Sequence, residues 1–194
     1  MAIHHFFSNA FVFIDNSNLL NVLKDNTGNI KGETPGVVVD YSKLHRVIEK
    51  GLAEVFDRKI SIQAVYLYDG IPTNHDEKAE KKRAFVASVE KKIVGRGSAF
   101  FPELYPIEIG RGRIVKGVDT KVALEIATLV SFREMDIAVI VSGDRDFIPV
   151  IKKAVAEFRV PIGIAFFEEA GLSRDLKKEA SFFIPMNWET IAIR

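Results

Sequence analysis

The chain has 194 residues, 47% of them hydrophobic, and a formal net charge of +1 from 27 basic and 26 acidic side chains. That is enough apolar material for one buried core in a single domain over residues 1–194, and the balanced charge excludes a uniformly basic, nucleic-acid-coating body. With no cysteine, disulfides, thiolate zinc sites and cysteine nucleophiles are excluded, in agreement with a reducing, cytoplasmic setting.

The opening MAIHHFFSNA has no basic leader or sustained apolar run, so we read no secretory signal. No stretch approaches the ~20 apolar residues of a membrane span. Residues 10–15 read as a short, central strand, followed by a brief helix over Asn16–Lys24. DNTGNIKGETPG at 25–36 reads as a mobile loop, suited to a lid. A helix capped by Asp40 or Ser42 runs to about Phe56, with Leu44, Val47, Ile48, Leu52, Val55 and Phe56 as its core stripe.

SIQAVYLYDG at 61–70 is the next strand, and a charged helix from about His75 to Val94 carries KAEKKR on its solvent side. Phe100–Arg113 contains two prolines and fits an edge strand or extended loop, in which Phe100, Phe101 and Tyr105 suit core packing ahead of stacking on bases. A nearly all-apolar helix, Val118–Phe132, is read as buried on several sides, broken only by Lys121, Glu125 and Thr128. IAVIVSGD at 137–144 is a fully buried strand; a helix over Phe147–Phe158, a strand at 160–167 and a short helix and strand complete the chain. Such alternation, with short joins, predicts a three-layer α/β/α sandwich around a mainly parallel sheet, with function at the strand carboxyl ends.

Three acids stand at element boundaries: Asp15 after FVFI, Asp119 at the start of the apolar helix, and Asp144, with Asp146, after IAVIVSG. Each has an ordinary explanation as a helix cap, Asp146 most plainly because Pro149 follows in a first turn. In a doubly wound sheet, however, the acids converge on one crevice. Crowded carboxylates repel unless a cation compensates, and all-oxygen donors suit Mg²⁺ or Mn²⁺. Such an ion polarises a phosphodiester and activates water without any Cys, His or Ser nucleophile. The four histidines show no metal-ligand spacing and read as structural or surface residues.

Asn16, Ser17 and Asn18 suit either capping or substrate contact. Asn18 beside a metal-binding carboxylate can orient water or a phosphate oxygen, and Lys116 places a point charge near Asp119. GRGRIVKG adds Arg111 and Arg113 on a glycine-flexed segment, with Arg96 in a second GRG upstream, readable as a phosphate patch or as plain turns.

The ordered motifs FIDNSNL (13–19), KGVDTKVALEIATL (116–129) and VSGDRDFIPVI (141–151) resemble the NYN domain family of the PIN-like nuclease superfamily, and within it the bacterial LabA-like group. The resemblance covers most of the chain. It implies a PIN-like sandwich, bound Mg²⁺ or Mn²⁺ and endonucleolytic cleavage of RNA. By matched position, Asp15, Asp119 and Asp144 look like the metal-site acids, Asp146 like an acid acting through water and Asn18 like the active-site amide, with Ser142 and Lys116 as accessory contacts. Glu125 stands where relatives are expected to carry Asp. Six residues along a helix turn Glu125 away from Asp119, which places it outside the site, in an exposed pair with Lys121.

Ser17 in place of a second Asp argues against a dehalogenase-type phosphatase, and Leu19 against an Asp-x-Ser-x-Ser adhesion site. The rival reading is an RNA-binding or regulatory PIN-like module that cleaves nothing. In both readings, near-neutral charge leaves RNA recognition to a homodimer groove or a protein partner.

Overall fold

The structure is a computed structural model that describes residues 9–27, 38–107, 118–132 and 134–193. Its centre is strand β1 (Asn9–Asp15), whose apolar run leads directly into α1 (Asn16–Thr27). This helix is one turn longer than the sequence suggested, taking in Asp25–Thr27 of the expected loop; the rest of that loop, and the lid assigned to it, lie outside the described residues.

A two-residue strand β2 (Val38–Val39) precedes α2 (Tyr41–Phe56), and Asp40 settles the choice of cap by accepting from the Ser42 and Lys43 amides at 3.0 and 3.4 Å. Of the predicted stripe, Val55 is exposed. Strand β3 (Ser61–Pro72), helix α3 (Asp76–Val94) and strand β4 (Ala99–Ile107) follow. Among the described residues strand β4 is an edge strand, paired only with β3, which is where prolines 102 and 106 are tolerated.

Helix α4 (Val118–Ser131) leads to β5 (Ile137–Val141), every residue of which is buried. A 3₁₀ turn (Arg145–Phe147), α5 (Ile148–Lys153) and a π-helical turn (Ala154–Phe158) lead to β6 (Ile162–Phe166). Then come α6 (Arg174–Glu179), β7 (Phe182–Pro185), α7 (Trp188–Ile191) and β8 (Ala192–Ile193). The expectation that α4 is buried on several sides is corrected: Leu124 is 61% and Phe132 72% exposed. A helix in an outer layer has only one sheet-facing side to bury, and these two residues lie off it.

The six-stranded sheet runs β4-β3-β1-β5-β6-β7, and all its pairings are parallel. The chain builds outward from β1 to β4, then returns to the other side of β1 and builds outward again, the doubly wound order. Helices α2 and α3 pack on the face of Val12, Ile14 and Val65; α4 covers the face of Phe13 and Tyr66. The result is the predicted α/β/α sandwich. Separately, β2 and β8 pair antiparallel, a small sheet the sequence did not signal. Among the described residues no helix is long and apolar enough to cross a membrane.

Candidate active site

The direction of winding reverses between β1 and β5, neighbours with Ile14 opposite Val141. At such a switch point the chain leaves the two strands on opposite sides and opens a crevice at their carboxyl ends. Asp15 ends β1 there, and Asp144 lies three residues beyond β5.

Both carboxylates also cap. Asp15 Oδ1 accepts from the Asn18 amide at 3.0 Å, closing the first turn of α1, and Asp144 Oδ1 accepts from the Asp146 amide at 3.0 Å, starting the 3₁₀ turn. The expected cap at Asp146 therefore belongs to Asp144: the 3₁₀ turn intervenes before the helix bearing Pro149, and Asp146 sits within it, exposed. Capping and metal binding do not compete outright, since a carboxylate offers acceptor capacity on both oxygens.

Asn18 joins the two acid-bearing segments. Its Oδ1 accepts from the Gly143 amide at 3.0 Å, tying the start of α1 to the turn after β5. Ser142 is fully buried, and its hydroxyl accepts from the Asp144 amide at 3.2 Å, so in this structure it shapes the turn. Ser17 is half-buried in the first turn of α1.

Asp119 stands in the first turn of α4, with its side chain outside the described part; Lys116, Arg111 and Arg113 lie outside the described residues altogether. Arg96 is placed away from the acid-bearing crevice. It pairs with Glu49 at 2.5 Å and donates to His45 Nδ1 at 3.1 Å, just before β4 begins and thus at the opposite end of the sheet. His45 is structural, buried and within 2.8 Å of the Ser98 hydroxyl.

Two features of this end of the sheet went unread in the sequence. The first is a buried polar network beside Asp15. Asp69 near the end of β3 is 4% exposed; its carboxylate accepts from Lys82 Nζ at 2.7 Å, from the Gly70 amide at 2.7 Å and from Asn16 Nδ2. Asn16 Oδ1 in turn accepts from the Tyr41 hydroxyl. Burial, then the Asp69 charge, push the Tyr41 phenol far above its ordinary value, so it remains a donor. The signal was present: the apolar run of β3 meets a carboxylate in YLYD as that of β1 does in FVFID.

The second is on the α4 face. Tyr68 lies opposite Asp15 in the β1–β3 register, is 1% exposed, and its hydroxyl has no hydrogen-bond partner among the described residues. Burial first, then Glu125 and Glu103, raise its pKa. Glu125 is half-buried and acts electrostatically on Tyr66, Tyr68 and Tyr105 alike. Its position toward the sheet replaces the exposed pairing with Lys121 that the sequence suggested.

Among the described residues, no three His, Asp or Glu side chains are grouped to hold a metal. Asp15 and Asp144 are hard oxygen donors on adjacent strand ends, which fits Mg²⁺ or Mn²⁺ and not a softer ion. The first turn of α4 supplies a third candidate carboxylate in Asp119.

A parallel sheet wound this way belongs to the doubly wound α/β class, whose ligands bind outside the strand carboxyl ends, where these acids stand. More particularly, the NYN domain family model matches residues 9–187, and the chain belongs to that family of PIN-like nuclease domains. The chain is similar to the crystal structure of VPA0982, a protein of unknown function from Vibrio parahaemolyticus, with a TM-score of 0.66 and 16% identity over 100% of both chains. That likeness concerns the fold. No curated protein matches the sequence.

Proposed function

We propose that this chain is a metal-dependent endoribonuclease of the LabA-like group, working as a single domain in the cytoplasm. The observation that carries the reading is the placement of Asp15 and Asp144 on adjacent strand ends at the switch point, bridged by Asn18. Family membership supports the nuclease class.

In this reading Asp15, Asp144 and Asp119 hold Mg²⁺ or Mn²⁺. A bound ion of this kind polarises the scissile phosphate and lowers the pKa of the attacking water. Asn18 keeps the acid-bearing turn in place through Gly143, and its Nδ2 is the donor end presented toward a phosphate oxygen or water. Asp146, exposed on the 3₁₀ turn, acts through water. Lys116, Arg111, Arg113 and Ser17 are the proposed phosphate contacts, with Ser142 supporting the turn beneath. A second copy or a protein partner supplies the remaining RNA contacts.

Purified protein is incubated with structured and single-stranded RNA in Mn²⁺, Mg²⁺ or EDTA, alongside Asp15→Asn and Asp144→Asn. Because Asn caps about as well as Asp, both variants are expected to fold. Loss of a ligand charge should lower metal-dependent cleavage by about 100-fold or more. If folded wild type cuts no RNA, the non-cleaving RNA-binding module takes the place of this reading.

A further inference from the structure

A cavity of about 340 Å³ opens at the carboxyl ends of β6 and β7, beside the acid-bearing crevice. Its floor is apolar, with Leu23, Phe167 and Met186 all buried. Trp188, 37% exposed, forms one wall, and Glu168, Glu169 and Asn187 stand at the lining's polar side. A volume of this size lies at the small end of ligand pockets.

The cavity and the crevice share their walls. Asn18, which holds the Gly143 turn, and Val22, which lines the cavity, lie one turn apart on α1, a rise of about 6 Å. Val22 also packs on Gly171, whose φ of +71° and lack of a side chain allow the approach: a Cβ there would come within 2.5 Å of Val22 Cγ2. Gly143 in turn packs on the Gly171 carbonyl, which a Cβ would meet at 2.1 Å. The Ser173 amide donates to the Gly143 carbonyl at 3.0 Å. The loop from Phe167 to Ser173 is therefore both a cavity wall and the backing of the Asp144 turn.

The lining chemistry selects the ligand. Two acidic residues, Glu168 and Glu169, line the cavity, and Lys177, which does not line it, is paired with Glu168. A phosphate would be repelled. A flat ring bearing N–H donors would be accepted, stacked on the indole and read at its edge by Glu169.

We propose that this cavity is a nucleobase subsite, taking an amino-bearing base, guanine foremost, from the strand whose phosphate lies in the crevice. The assignment of the strand rests on the nuclease reading above; binding of the base itself does not.

Trp188 is the single tryptophan of the chain, so its fluorescence reports on the site directly. The full chain in EDTA is titrated with GMP and with UMP to millimolar concentration. The expected result is a saturable change with GMP, about five-fold or more tighter than with UMP, since the uracil edge places carbonyls against Glu169. Glu169→Gln should remove that preference. Val22→Phe, which fills the cavity, should weaken GMP by about ten-fold or more, the scale of one lost stacking contact. The exposed Glu169 substitution carries the test should Val22→Phe fail to fold.

No saturable change with either nucleotide in folded wild type overturns the subsite, as does equal binding in both variants. RNA cleavage with no fluorescence response overturns the subsite and leaves the nuclease standing. A fluorescence response in a chain that cuts no RNA supports the subsite and counts against the nuclease.

Discussion

Asn16 shows how one amide can serve a site it does not belong to. Its two ends are both occupied, Nδ2 on Asp69 and Oδ1 on the Tyr41 hydroxyl, and it follows Asp15 directly in sequence. Truncation to Ala leaves a buried phenol and a buried carboxylate oxygen each short of a partner, a cost of about 2–4 kcal/mol. Urea denaturation of Asn16→Ala measures it; a loss below about 0.5 kcal/mol, no more than a surface substitution costs, would mean water replaces the amide. Tyr41→Phe removes only the terminal donor and should cost less, about 1 kcal/mol. The network holds the start of α1 against β3, α2 and α3 at once, so the carboxylate of Asp15 inherits its direction from three elements.

At the scale of elements, the turns after β5 and β6 act as one unit because their backbones touch. Gly143→Ala places a methyl against the Gly171 carbonyl and should destabilise by about 1–3 kcal/mol, the usual cost of overpacking. It should also blunt both RNA cleavage and the Trp188 response, whereas two independent loops would show only the first. This coupling was not legible in the sequence, where nothing ties Gly143 to Gly171. What was legible were the strands: FVFID and IAVIVSGD are apolar runs that stop on acids, and parallel central strands have few other ways to look. Helix faces were less so. Leu124 and Phe132 satisfied an apolar count for α4, yet only the finished layer decides which side of a helix meets the sheet. The site was half legible for the same reason. Strand-end acids mark themselves by position, but the network around Asp69 draws Asn16 from α1, Lys82 from α3 and, through Asn16, Tyr41 from α2, and no local pattern brings those together.

For the whole molecule, the far end of the sheet sets a pH limit. Burial lowers the His45 pKa; Glu49 opposes this and Arg96 reinforces it, with the Ser98 hydroxyl as the remaining polar neighbour. The folded imidazole is therefore neutral where the unfolded one, near its ordinary pKa of about 6.5, takes a proton. Its contribution to stability is complete above that value and falls away as pH drops through it toward the lowered folded value, by up to about 1.4 kcal/mol per pH unit. Urea midpoints followed from about pH 7.5 to 5 should fall, and His45→Gln should flatten the slope; an equal slope in the variant would assign the effect elsewhere. The sheet's outer edge carries a different consequence. Pro102 and Pro106 lie on the same side of β4, each missing the amide that a neighbouring strand would need, while β3 occupies the inner side. An edge so interrupted is a poor template for a further strand, and β7, at four residues, offers little more at the opposite edge. Self-association by continuing the sheet from molecule to molecule is thereby discouraged.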